Sequence, residues 1–155
     1  MANLDVHFSS KSNEWTTPQD FFDRLNAEFE FELDPCSDGF NAKCEKYFTI
    51  EDDGLAQDWR PHTVFMNPPY GRAIADWIRK AFEEAQKGAT VVALIPSRTD
   101  TRYWHDYVMK AKEIRFVPGR LKFGDGKNSA PSPSAVVVFE KGEYNPKISS
   151  MEANL

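Results

Sequence analysis

The chain has 155 residues, 41% hydrophobic and 14% aromatic, which suits one domain with one core. No apolar run approaches the ~20 residues needed to span a bilayer, and the opening MANLDVHFSSKS holds no apolar secretory segment. The formal net charge of -5 argues against strong nonspecific binding to nucleic acid.

That charge is unevenly spread. Residues 1–70 carry 14 acidic and 5 basic side chains, whereas residues 98–127 carry 8 basic and 4 acidic ones. The only cysteines, Cys36 and Cys44, fit neither a disulfide framework nor a zinc motif, so both are expected as reduced thiols of a cytosolic protein. His7, His62 and His105 are scattered without ligand spacing, so no metal site is expected.

In chain order, residues 1–13 read as a polar, flexible N-terminus. Thr17-Pro18-Gln19-Asp20 reads as a helix start, with Thr17 as N-cap and Pro18 at the first helical position. Phe21, Phe22, Leu25 and Phe29 then share one face. Residues 30–33 form a short strand that ends in the loop Asp34-Pro35-Cys36-Ser37-Asp38-Gly39-Phe40. A weaker strand is expected at residues 46–50, closed by Glu51-Asp52-Asp53-Gly54.

Residues 63–66 are an apolar strand that delivers Asn67-Pro68-Pro69-Tyr70. A helix over residues 73–87 follows, with Ile74, Trp77, Ile78, Ala81, Phe82 and Ala85 as a continuous stripe and Gly88 past its end. Residues 90–95 make a buried-type strand that Pro96 stops. Asp100 is placed to cap a helix carrying Tyr103, Trp104, Tyr107 and Val108. Strands at residues 114–117 and 135–139 flank a long Gly-, Ser- and Pro-rich loop over residues 119–133.

Strands alternate with helices until the last two strands. That pattern predicts an α/β, Rossmann-like domain over residues 14–141, with a mostly parallel sheet, an antiparallel last strand and helices on both faces. Residues 142–155 read as a flexible tail.

Chemistry concentrates at Asn67-Pro68-Pro69-Tyr70. Prolines fix φ and push the residue before each of them to an extended conformation. The turn therefore holds the Asn67 side-chain oxygen and the neighbouring carbonyls in a rigid acceptor cluster. It sits at the carboxyl end of a strand, where open α/β sheets bind ligands. No serine or cysteine nucleophile has a base placed beside it in the pattern.

The series Trp15-Thr16-Thr17-Pro18, then DPCSDGF, NPPYG, LIPSRTDTRYW and GRLKF resembles the phage-type DNA N6-adenine methyltransferase (Dam-like) family, across about residues 14–140. The resemblance implies a class I methyltransferase that moves a methyl group from S-adenosylmethionine to N6 of adenine in DNA, in a bacterial cytoplasm and of phage or prophage origin. It implies that the amine donates to the Asn67 side-chain oxygen and the Pro68 carbonyl, with Tyr70 stacked on the extruded base. It implies a cofactor site at Asp34, Pro35, Cys36, Asp38 and Gly39, with Trp15, Thr16, Thr17 and Pro18 packed beside the methionine end.

On the same resemblance, one acidic residue of Glu51-Asp52-Asp53 accepts from the ribose, with Glu51 favoured by its place at the strand end, and Asp58 contacts the cofactor's adenine. Phe123 is a candidate second face for the flipped base, and Arg98, Arg102, Arg120 and Lys122 are candidate phosphate contacts. The loop after the first strand departs from the glycine-rich form of the wider superfamily, keeping only Gly39. A separate target-recognition domain is not expected in a chain of this length, so selectivity would come from loops, as a monomer or a homodimer.

Two rivals stand beside this reading. One is an amino-methyltransferase of another planar nitrogen. Its cytosine N4 form usually carries Ser at the place of Asn67, its protein-glutamine form is expected to have a preceding substrate domain, and a ribosomal-RNA base is the third possibility. The other is a catalytically idle domain that binds cofactor or nucleic acid.

Overall fold

Near-continuous apolar runs at residues 91–95 and 135–139 build central strands that are buried on both faces of the sheet. The structure is a computed structural model and describes residues 16–124 and 128–154. Its elements are α1 (Gln19–Phe29), β1 (Leu33–Asp34), β2 (Lys46–Tyr47), β3 (Thr63–Met66), α2 (Ile74–Lys87), β4 (Thr90–Pro96), α3 (Arg102–Asp106), β5 (Glu113–Phe116), β6 (Lys122–Phe123), β7 (Asn128–Ser129), β8 (Ser134–Phe139) and β9 (Lys147–Ser150). Seven strands form one sheet in the order β2-β1-β3-β4-β8-β5-β9. β8 runs antiparallel to both β4 and β5, and every other pairing in this sheet is parallel.

The two sheet faces carry separate cores. Val64 and Met66 of β3, Val91, Ala93 and Ile95 of β4, and Val137 of β8 pack under Ile74, Trp77, Ile78, Ala81 and Ala85 of α2. Phe65, Val92, Leu94, Val136 and Val138 point the other way, onto Phe21, Phe22 and Leu25 of α1. Adjacent strand residues serve opposite faces, so both helices are needed to cover the sheet. The mostly parallel, two-sided α/β architecture expected from the alternation is the one observed.

Glu84 ties α2 to the turn before β3. Its buried carboxylate accepts the Trp59 backbone N–H at 2.6 Å and pairs with Lys80 and Lys87 at 3.4 and 3.3 Å. A buried charge held this way is compensated rather than orphaned. The Trp59 indole N–H in turn donates to the Gly54 carbonyl at 2.9 Å.

Several details depart from the sequence reading. Thr17 does not cap α1; the helix starts at Gln19 after Pro18, with no side-chain cap bond, and the Thr17 hydroxyl is engaged elsewhere. Thr101, not Asp100, caps α3 by accepting from the Trp104 N–H at 3.3 Å. The first strand begins at Leu33, and the second is only Lys46–Tyr47.

The loop over residues 119–133 contains the β6–β7 hairpin. The antiparallel strand is not the last one: β9 follows and lies parallel to β5. The segment expected as a flexible tail is therefore a sheet edge. Met151 N–H donates to the Phe116 carbonyl at 3.0 Å, and the Arg24 guanidinium donates to the Ala153 carbonyl at 2.8 Å. Backbone pairing fixes this strand although its side chains are mostly exposed, which is why apolar periodicity misses it. Residues 1–13 and Trp15 lie outside the described residues.

Candidate active site

From β1 the chain moves outward to β2, and β3 returns on the other side of β1. That reversal makes β1 and β3 the switch point of the sheet, the place where open α/β sheets leave a crevice beyond their carboxyl ends. A cavity of about 600 Å³ lies there, within the usual range for small-molecule sites. Its walls include Thr16, Thr17, Asp34, Pro35, Cys36, Asn67, Pro68, Pro69 and Tyr70.

The loop after β1 is shaped by its own polar side chains. Asp34 accepts from the backbone N–H groups of Cys36 (3.3 Å) and Lys43 (3.0 Å). Burial pushes its carboxyl up to about 6, with the Lys43 and Cys36 N–H bonds and the Lys43 charge pulling it partly back. Burial and the Asp34 charge also push the Cys36 thiol up, so it stays a neutral packing group. Asp38 accepts from the N–H groups of Phe40 and Asn41, both at 2.9 Å. It thereby builds the turn that carries Gly39 at φ +88, and neither Asp38 nor Gly39 lines the cavity.

The wall opposite comes from the acidic turn after β2. Two backbone bonds, Asp52 N–H to Thr49 O and Asp53 N–H to Ile50 O, tighten this turn. Glu51 is left exposed and away from the cavity, and Asp53 lines it instead. Gly54 is there because nothing larger fits: a Cβ would stand 2.2 Å from the Pro35 carbonyl oxygen. That approach locks the turn after β2 to the loop after β1. Ile50, Leu55 and Trp77 add apolar surface, and Lys43 and Arg72 add positive charge.

Asn67 stands at the mouth of β3. Its side-chain nitrogen donates to the Thr17 hydroxyl at 3.0 Å. Tyr70 lines the cavity, and its buried hydroxyl has no hydrogen-bond partner among the described residues.

Other expected site residues lie elsewhere. Phe123 is fully buried and meets Tyr70 edge-on, with ring centres 6.5 Å apart and planes at 89°, so it offers no second stacking face in this arrangement. Asp58 is exposed and bonded to the Arg60 backbone and guanidinium, which holds its carboxyl below the usual range. It sits on a surface turn because the next residue, Trp59, takes the buried place. Pro18 leads into α1 without lining the cavity.

Arg98, Arg102, Arg120 and Lys122 are exposed and outside the cavity. Arg102 pairs with Asp106 at 2.6 Å, and Lys122 donates to the Ser129 hydroxyl. Sequence reasoning missed Asn41, Lys43, Thr49, Arg72 and Pro131 as wall residues. Position after a strand end was a usable signal only for Arg72, which directly follows Gly71.

Among the described residues, no group of three or more His, Cys, Asp or Glu side chains could hold a metal ion. Among the same residues, no helix is long and apolar enough to cross a membrane. The model of the family described as DNA N-6-adenine-methyltransferase (Dam) matches residues 7–151. The chain is 29% identical over 134 residues to a DNA N-6-adenine-methyltransferase of Haemophilus phage HP1 (strain HP1c1), covering 81% of this chain and 78% of that protein. It is 27% identical over 109 residues to a DNA N-6-adenine-methyltransferase of Escherichia phage T1, covering 69% of this chain and 45% of that protein.

Proposed function

The chain belongs to the DNA N-6-adenine-methyltransferase (Dam) family, and from that premise we propose how its residues carry the reaction. The protein transfers a methyl group to the N6 amine of adenine in DNA. The donor we infer is S-adenosylmethionine, which supplies a methyl group activated by a sulfonium.

The cavity walls fit that donor in chemistry. Asp34 offers a buried carboxylate for a cationic amino acid end. Asp53 offers an exposed carboxylate to a ribose at the end of the acidic turn. Ile50, Leu55 and Trp77 offer apolar surface to a planar base. Thr16, Pro35 and Cys36 complete the amino acid end.

Asn67 and Pro68 hold the substrate amine. Its two N–H bonds donate to the Asn67 side-chain oxygen and the Pro68 carbonyl. That geometry draws the nitrogen lone pair out of conjugation with the ring and aims it at the methyl carbon. Pro69 keeps the carbonyl fixed, and Tyr70 stacks on the base. The new N–CH₃ bond forms as the sulfur–carbon bond breaks, and the amine then releases one proton. No strong base is required before attack, so the acceleration comes from positioning and from dipoles set before the reaction.

A base inside a duplex cannot reach this cavity, so the adenine is extruded at a cost of a few kcal/mol. Arg98, Arg102, Arg120 and Lys122 are assigned to phosphates flanking it. The site of action is the cytoplasm of a bacterial host.

The observation that carries this reading is the convergence of Asp34, Gly54 and Asn67 on one cavity at the sheet's switch point. The test is methyl transfer from labelled S-adenosylmethionine into duplex DNA, RNA and a release factor in parallel. Digestion and mass spectrometry then identify the product. N6-methyladenine in DNA alone is expected; N4-methylcytosine, a labelled RNA base or a labelled protein would replace this reading.

A further inference from the structure

We propose that Thr17 is the positioning residue that orients the Asn67 carboxamide for catalysis. The inference deepens the role given to Asn67 above and rests on it.

The two prolines after Asn67 fix the backbone, but they do not fix its carboxamide, because the terminal torsion of an asparagine is broad. A carboxamide has one accepting end and one donating end. Turned the wrong way, it would face the substrate amine with its own N–H groups, donor against donor. Something must choose the end, and Thr17 does so. Its hydroxyl accepts from the Asn67 side-chain nitrogen at 3.0 Å, which turns the carboxamide oxygen to the other side of the group.

Thr17 is itself firmly held. Its residue is only 3% exposed. Pro18 follows it, so an extended backbone is favoured at Thr17, and the helix after Pro18 is anchored by Phe21, Phe22 and Leu25 in the core. The preceding residue is tied on two further sides: the Thr16 carbonyl accepts from the Gly124 N–H at 2.9 Å, and its hydroxyl accepts from the Asn41 side chain at 3.4 Å. The Thr16-Thr17 segment therefore braces the loop after β1, the loop after β3 and the β6–β7 hairpin at once. A side chain so braced can set an angle rather than follow one.

The test compares Thr17→Val, Thr17→Ser and Asn67→Ala in the full chain. The readouts are kcat on duplex DNA, cofactor affinity by calorimetry, and the Asn67 side-chain NH₂ signals in ¹⁵N–¹H spectra. Thr17→Val keeps the shape and removes the acceptor. It is expected to lower kcat by about tenfold to a hundredfold, the scale of a misplaced reacting group. Cofactor affinity should be unchanged, and the Asn67 side-chain signals should shift. Thr17→Ser should restore most of the rate. If Thr17→Val does not fold, Thr17→Ala carries the same comparison.

Wild-type kcat in Thr17→Val, with Asn67→Ala inactive, would overturn the inference and leave the role of Asn67 standing. Lost cofactor affinity with kcat intact at saturation would make Thr17 a cofactor ligand and also overturn it. Full activity in Asn67→Ala would remove the reading beneath it.

Discussion

The acidic portion of the chain and the basic stretch behind it divide the work. Every described residue lining the cavity except Pro131 lies between Thr16 and Trp77. The basic stretch from Arg98 to Lys122 contributes none, and its arginines and lysines face solvent or surface partners. The carboxylates at the cavity come from the acidic portion, whereas Arg115 of the basic stretch pairs away from it with Glu28 at 2.6 Å. On the proposed reading, a cationic methyl donor would meet carboxylates in a confined crevice, where electrostatics is strong. A polyanionic duplex would meet exposed cations, where each contact is screened and individually modest. Substitutions in the first region should therefore alter chemistry or cofactor binding, and those in the second only DNA affinity.

The sharpest test of that division is Asn67→Ala. At saturating cofactor it should reduce methyl transfer by about 10²–10³-fold, the scale for removing one preorganised transition-state contact, with cofactor affinity unchanged by calorimetry. A rate near wild type would break the comparison at its strongest point.

Gly54→Ala comes next. The added Cβ would stand 2.2 Å from the Pro35 carbonyl oxygen, so the two cavity walls must part. A stability loss of about 1–3 kcal/mol, the cost of overpacking, should appear in denaturant unfolding, together with weaker cofactor binding. Unchanged binding would show that the two loops need not touch.

Asp34 gives a pH signature. Its carboxyl is raised to about 6 in the fold, so the neutral form is favoured there. The cost of keeping the charge buried is absent below about pH 4, the ordinary carboxylate range, and grows as pH rises through 6. A cationic ligand needs the ionised form. Cofactor affinity should therefore strengthen as pH rises through 6 and fall by at most about tenfold per unit below it. Asp34→Asn should bind weakly and without that dependence. A pH-independent affinity in the wild type would detach Asp34 from the cofactor's ammonium group.

The smallest effect is expected in the basic stretch. Arg120→Gln with Lys122→Gln should raise the apparent Kd for DNA and make its dependence on log salt shallower by about 0.9 per lost phosphate contact, with kcat intact at saturating DNA. An unchanged salt slope would place the duplex elsewhere.

Much of this was legible in the sequence because it follows local rules. β3 and α2 were readable from apolar periodicity, and the Asn67 turn from the rigidity that prolines impose whatever surrounds them. What was not legible depends on distant partners. Thr17 carries every mark of a helix cap, yet its hydroxyl serves a residue fifty positions away. Glu51 reads as the end of a strand, but that strand closes early and two turn bonds bring Asp53 to the wall. β9 has no apolar alternation to read, because its place is set by backbone pairing with β5. Phe123 reads equally well as a stacking face or as core, and burial places it in the core.

The most direct test of the whole account is a structure with S-adenosylhomocysteine bound. The ligand is expected inside the cavity between Asp34 and Gly54, its amino group on the Asp34 carboxylate and its sulfur toward the Asn67 carboxamide. Ligand bound outside that crevice, or with its sulfur turned away from Asn67, would contradict it.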